Sequence, residues 1–261
     1  HDLMIGAGAI YSARFLDQYA IQFNGTNQYA YKAAPSFQAN TAGAFSFWYR
    51  PTSVRASDGI YALIALGNAS GAANNATFII GLRRAAGPGV PNSIEIGTRR
   101  TNGGGFSATA ASGLTLTAGA LYHVVVQSNG SAWDIRVNDT APTLRNWITD
   151  DGTNPGWWLG DITLSTPRLS MGARVFNSSV DSYAPCKLNE VYYVNRVLTN
   201  TEITGLYKGG VTGNPLRIIP QADMQLILRC GDAPDDATTM FDRSGLGNNF
   251  TLVNSPSYVT P

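Results

Sequence analysis

Apolar and polar side chains alternate along most of this chain. Tyr19, Ile21 and Phe23 fall on one face of an extended segment, and Asn24-Gly25-Thr26-Asn27 follows as a turn. Phe45, Phe47 and Tyr49 alternate up to Pro51, which has no amide to donate to a ladder and so ends that strand. Residues 61–66 form an unbroken apolar run, as in a strand buried on both faces. Alternation resumes at Phe78, Ile80 and Leu82, at Ile94 and Ile96, at Tyr122, Val124 and Val126, and at Trp133, Ile135 and Val137. A period of two, β-branched and aromatic content and Asn/Gly punctuation predict strands throughout. Asn129-Gly130 separates the last two runs, and the expected link is a type I′ hairpin turn, which needs positive φ at both central residues.

One segment departs from this period. Thr199-Asn200-Thr201-Glu202 has the spacing of a capping box, in which the Thr199 hydroxyl accepts from the Glu202 amide and the Glu202 carboxylate reaches back. Ile203, Leu206 and Tyr207 then make a helical stripe that Gly209-Gly210 stops, so one short helix is expected near residues 200–208. The Gly/Asn-rich stretches 68–75, 85–92 and 102–105 read as loops. No internal repeat or linker divides the chain. The expectation is an all-β, antiparallel β-sandwich over residues 1–261, with an apolar N-terminal arm (1–18), a core (19–210) and a C-terminal segment (211–261) completing the sandwich.

Composition narrows the function. With 261 residues the chain is long enough for one large sandwich; only 13% of residues are charged and the formal net charge is +1, which gives no global signal for nucleic acid or an anionic membrane. No run approaches the roughly 20 apolar residues of a membrane-spanning helix, and the start lacks a signal-peptide pattern. Cys186 and Cys230 read as two buried thiols, with a single bridge as the alternative.

The order of motifs resembles the laminin-G-like, concanavalin A-like jelly roll. The resemblance rests on Ala20-Ile21-Gln22-Phe23-Asn24-Gly25-Thr26-Asn27-Gln28-Tyr29, on Phe45-Ser46-Phe47-Trp48-Tyr49-Arg50-Pro51, on Gly119-Ala120-Leu121-Tyr122-His123-Val124-Val125-Val126, and on Asn129-Gly130-Ser131 through Asp139. Its closing signature is Leu188-Asn189-Glu190-Val191-Tyr192-Tyr193, then Leu198, Glu202, Ile203, Leu206 and Tyr207. Leu121 stands where many members carry Trp, and Asn189 where many carry Asp. A further motif, Leu226-Ile227-Leu228-Arg229-Cys230-Gly231-Asp232-Ala233 with Asp242-Arg243-Ser244-Gly245-Leu246-Gly247-Asn248-Asn249, lies before the first strand in many members but after the helix here. This late placement resembles structural proteins of phages and marine viruses. The resemblance implies a lectin-like fold that serves adhesion, sugar binding or scaffolding.

Little in the chain points to catalysis. Glycosidases of this fold carry paired carboxylates on one strand, whereas Glu95 and Glu190 each stand alone. His123 lies within an apolar strand and reads as a structural histidine. Trp147, Trp157 and Trp158 crowd a loop region with Asp150, Asp151 and Asn154, an arrangement able to stack on a sugar and hold its hydroxyls; packing or a subunit interface is the other reading. Asp150 and Asp151 are also the candidate ligands for a loop calcium, with Asp232, Asp235 and Asp236 as a second acidic cluster; otherwise no cofactor is expected. Arg83-Arg84 and Arg99-Arg100 would form a patch for an acidic partner if they sat across a hairpin from each other.

The reading that follows is a non-enzymatic structural protein of a virion surface: a capsid decoration, spike or fibre component. Its partners would be other virion proteins or copies of itself, and host-surface glycans, with no nucleic acid. A secreted, extracellular carbohydrate-binding or adhesion module is the alternative, and a glycoside hydrolase the second alternative.

Overall fold

A computed structural model describes residues 19–70, 76–84, 91–100, 108–147, 156–176 and 178–261. The apolar arm expected over residues 1–18 lies outside them. In chain order the strands are β1 (Ala20–Asn24), β2 (Tyr29–Ala33), β3 (Gly43–Pro51), β4 (Gly59–Asn68), β5 (Thr77–Arg84), β6 (Ser93–Arg99), β7 (Ala108–Ala111), β8 (Tyr122–Ser128) and β9 (Trp133–Val137). They continue with β10 (Arg145–Trp147), β11 (Pro167–Met171), β12 (Arg174–Phe176), β13 (Ser179–Asp181), β14 (Pro185–Val194), β15 (Met224–Leu228), β16 (Thr239–Met240), β17 (Phe250–Val253) and β18 (Ser257–Val259).

These strands form an antiparallel sandwich. The seven-stranded sheet runs β18-β1-β14-β3-β8-β9 with β15 also on β14, and the nine-stranded sheet runs β10-β7-β6-β5-β4-β11-β2-β17-β16. Alternate residues meet between the sheets: Ile21, Phe23, Phe45, Phe47, Val124 and Leu188 from one, and Leu63, Leu66, Phe78, Ile80, Ile94 and Ile96 from the other, in one core. The unbroken run in β4 is buried on both faces as its composition requires, because Ile60, Ala62 and Ala65 form a separate cluster with Ile79 on the side away from the core.

The helix α1 (Asn200–Gly209) starts at the capping box, with Thr199 Oγ1 accepting from Glu202 N at 3.2 Å and Thr199 N donating to Glu202 Oε2 at 2.8 Å. Gly210, at φ 65°, ends it, a conformation that costs glycine nothing. Ile203 and Leu206 pack on Ala44, Val125, Tyr192 and Val194, so α1 covers the outer face of the seven-stranded sheet. Among the described residues no helix is long and apolar enough to cross a membrane.

The hairpin between β8 and β9 differs from the expected type I′ turn. Ser128 pairs with Trp133, leaving a four-residue link in which only Gly130 has positive φ. The Asn129 carboxamide oxygen accepts from Ser131 N at 2.9 Å and Ala132 N at 2.8 Å, and this side-chain turn replaces the tight backbone turn. Cys186 and Cys230 are both buried free thiols.

β14 holds the sandwich together. One edge pairs with β3; the other pairs with β1 over Pro185–Leu188 and with β15 over Val191–Val194. At the changeover the register with β3 shifts between Asn189 and Tyr192, and Glu190 takes φ 48°. Glu190 is 1% exposed, and its carboxylate accepts from Arg229 Nε at 3.2 Å. Arg229 also meets Asp232 at 2.9 Å. Removing one member of a buried ion pair strands the other charge, so Glu190→Ala and Arg229→Met are each expected to lower stability by about 3–5 kcal/mol. Urea denaturation of both single variants and the double variant checks this, with the double variant losing clearly less than the two single losses combined.

Candidate functional site

The loop tryptophans do not form an open platform. Trp158 is 0% exposed and Trp157 3%. Trp158 packs edge-on against Phe78 at 5.0 Å between ring centres, and its indole N–H donates to the Tyr193 hydroxyl at 3.1 Å. The main-chain oxygen of Trp157 accepts from the Trp133 indole at 2.8 Å, and its own ring lies under the Arg100 guanidinium at 4.6 Å. The expectation that these two rings stack on a sugar is therefore corrected: both belong to the core, where a large apolar ring gains more from burial than from water. Trp147 lies in β10, paired with Thr109 of β7, and its side chain is outside the description. Asp150, Asp151 and Asn154, and with them the loop-calcium expectation, lie outside the described residues.

The second acidic cluster is a set of turns. Asp235 accepts from Gly231 N at 2.9 Å and Phe241 N at 2.8 Å, and Asp236 accepts from Thr238 N at 2.7 Å and Thr239 N at 2.8 Å. Among the described residues no group of three or more His, Cys, Asp or Glu side chains could hold a metal ion.

A different surface gathers recognition chemistry: the outer face of the nine-stranded sheet. Cross-strand partners share a face, so the register places Ala33, Arg168, Gly67, Thr77 and Arg99 in one row across β2, β11, β4, β5 and β6. The adjoining row contains Tyr31 and Ser170. The hairpin of β12 and β13 lies over this face, and it fits because residue 67 is glycine: a Cβ there would collide with the Val175 carbonyl oxygen. The hairpin is anchored by Ala62 N donating to Ser182 O at 2.8 Å and by Ser170 Oγ donating to Ala173 O at 2.7 Å.

Aromatic and guanidinium groups then interleave. Arg168 lies 4.2 Å from the centre of the Tyr31 ring, and Tyr29 is 6.1 Å from Tyr31 and 6.3 Å from Tyr183, centre to centre. Arg174 and Arg99 flank Phe176 at 4.3 and 5.9 Å. Arg174 is neutralised by a two-point contact with Asp181 at 2.8 and 2.7 Å. Among the described residues Arg168 meets no such carboxylate, and its buried Nε finds no hydrogen-bond acceptor. Burial raises the Tyr29 hydroxyl above its ordinary pKa while Arg168 pulls it down. Tyr29 closes the first motif of the sequence; Tyr31, Tyr183 and the arginines needed the register and the hairpin.

The remaining candidates are structural. Arg83 and Arg99 sit at opposite ends of the β5–β6 pair, opposite Ser93 and Thr77, so the two arginine pairs do not face each other. Arg83 instead meets Glu95 at 3.3 Å. Glu95 is 2% exposed, and burial raises its carboxyl to about 7 with Arg83 pulling it down. His123 shares a 3.0 Å hydrogen bond with Ser46 Oγ, and burial lowers it to about 4.

A family model described as the concanavalin A-like lectin/glucanases superfamily matches residues 24–204. Among solved structures the chain is similar to a Bacteroides ovatus protein named for carbohydrate binding, at 14% identity and TM-score 0.61 over 93% of this chain and 60% of that one. It therefore spans less than two thirds of that protein's length. It is also similar to the CBM40 of Ruminococcus gnavus IT-sialidase bound to α2,3-sialyllactose (15% identity, TM-score 0.53, covering 75% of this chain and all of that one). A heptameric SAP-like pentraxin from Limulus polyphemus matches at 10% identity and TM-score 0.53 over 90% of this chain and 94% of that one. At these identities the likeness is one of fold. No curated protein matches the chain.

Trp158→Ala is expected to cost about 3–5 kcal/mol in chemical denaturation, the range for deleting a buried aromatic. Glu95 makes stability depend on pH. Its folded pKa, about 7, lies above the ordinary 4.5, so the stability it favours is fully present below pH 4.5 and lost as pH rises through 7. Comparing urea midpoints of the native protein and Glu95→Gln at pH 5 and pH 8 checks this, with the variant falling less over the interval.

Proposed function

The chain belongs to the concanavalin A-like lectin/glucanase superfamily, and from that premise we propose that it is a non-enzymatic glycan-binding protein displayed on a virion surface. The observation that carries the binding reading is the outer face of the nine-stranded sheet, where Tyr29, Tyr31, Tyr183 and Arg168 sit side by side. Tyrosine rings offer flat apolar area for the C–H faces of a sugar, and guanidinium groups supply hydrogen-bond donors in a fixed fork. A lectin-like fold is the setting in which such a face serves recognition.

The non-enzymatic part rests on the carboxylates. Glycoside hydrolysis uses two carboxyl groups flanking one bond. Glu190 and Glu95 are each buried and each held by an arginine, Arg229 and Arg83, so neither is presented to a substrate.

Deployment on a virion is supported by the late position of the 226–249 motif, which by resemblance is the arrangement of phage and marine-virus structural proteins. In that role the sandwich is a decoration, spike or fibre component assembled with other virion proteins or with itself. A secreted cellular module is the second reading, favoured by the likeness in fold to proteins of Bacteroides ovatus and Ruminococcus gnavus.

Two measurements test the proposal. A glycan array of the purified chain is expected to show saturable binding, with no reducing ends released from the bound oligosaccharides on prolonged incubation. Antibody labelling of purified particles, set against the medium of the producing cells, separates the two settings. Turnover of a bound glycan would overturn the non-enzymatic reading, and labelling confined to the medium would overturn the virion one.

A further inference from the structure

We infer that the ligand of the outer sheet face is an anionic sugar, one bearing a carboxylate or a sulfate ester, gripped by Arg168 between Tyr31 and the β12–β13 hairpin. This deepens the glycan-binding reading and rests on it.

Among the described residues the outer face carries two ion pairs, Arg174 with Asp181 and, farther along, Arg83 with Glu95. Asp181 is engaged by Arg174 through two short contacts, so it holds the hairpin rather than neutralising its neighbours. Arg168 is placed differently. It reaches across Tyr31 at 4.2 Å, with its Nε buried and lacking an acceptor. A guanidinium held by a ring and left without an anion retains its forked donor set, and that fork matches two oxygens of one carboxylate or sulfate.

The row of cross-strand partners explains how the anion gains access. Between Arg168 and Arg99 the row carries Gly67 and Thr77, both buried beneath the hairpin that bears Arg174 and Phe176, so the open approach to Arg168 is from the half-buried Tyr31 side. A sugar ring lying on Tyr29, Tyr31 and Tyr183 brings a substituent at its edge to Arg168. An uncharged sugar uses the rings and offers the guanidinium only neutral acceptors. An anionic one meets both, with the charge-assisted bond strengthened by the partial burial of the site.

The test titrates the full chain with four probes: a sialylated oligosaccharide, a glucuronate-bearing one, a sulfated galactose oligosaccharide and uncharged lactose, followed by calorimetry and ligand-observed NMR. The expected result is at least about tenfold tighter binding of one or more anionic probes than of lactose, a difference of about 1.4 kcal/mol. Arg168→Met is expected to remove that tenfold preference, weakening the anionic probes by about tenfold more than it weakens lactose. Arg168→Lys, which keeps the charge and loses the fork, should fall between; it also stands in should the Met variant fail to fold by circular dichroism. Which anionic probes bind tells a carboxylate from a sulfate ester. Lactose binding as tightly as the anionic probes, with Arg168→Met and Arg168→Lys indifferent, would overturn this inference and leave the glycan reading intact. A folded protein that binds no member of the wider glycan array overturns both.

Discussion

The sandwich depends on one shared edge. β14 borders β3 along one side, and on the other it is occupied first by β1 and then by β15. Two strands far apart in the chain thus meet where the backbone of β14 must break register. The break puts Glu190 in a left-handed conformation uncommon for a side chain of its kind. Its buried carboxylate is tolerable because Arg229, arriving at the end of β15, supplies the counter-charge. The ion pair therefore ties the arrival of β15 to the irregularity in β14, and the seven-stranded sheet inherits the alignment that results.

The same economy decides which face is available. α1 lies across the outer face of the seven-stranded sheet and buries it over Val125, Tyr192 and Val194. Among the described residues the outer face of the other sheet carries the short β12–β13 hairpin, seated on Gly67. Tyr29, Tyr31, Tyr183, Arg168 and Arg174 on that side keep partial exposure, and a concentration of guanidinium groups there does not perturb the core.

The sequence made the strands legible wherever one face is buried, because water enforces a period of two there; β3, β5, β8 and β9 follow their apolar alternation closely. The helix was legible from Thr199 and Glu202, since a capping box is a local device. The recognition face was much less so. Trp157 and Trp158 drew attention as aromatics among turn residues, yet composition does not say whether an indole meets water or Phe78. Tyr29 and Tyr31 are ordinary strand tyrosines until Arg168, far along the chain, is placed beside them by register. Glu190 likewise read as a lone carboxylate because its partner, Arg229, lies outside the local sequence. Long-range pairing, rather than local pattern, made both the site and the ion pair.

The pairing of β1 with β18 has a consequence for how the molecule is made. Ala20 is matched with Val259, and the segment from Met224 to Val259 contributes strands to both sheets. A growing chain emerging from the ribosome therefore carries β1, β2 and half of β14 with open edges until that last stretch appears. Such edges invite pairing with neighbouring chains, and contacts between distant residues form slowly. Synthesis rate and chaperone protection, as much as final stability, will govern how much of this protein reaches its finished form.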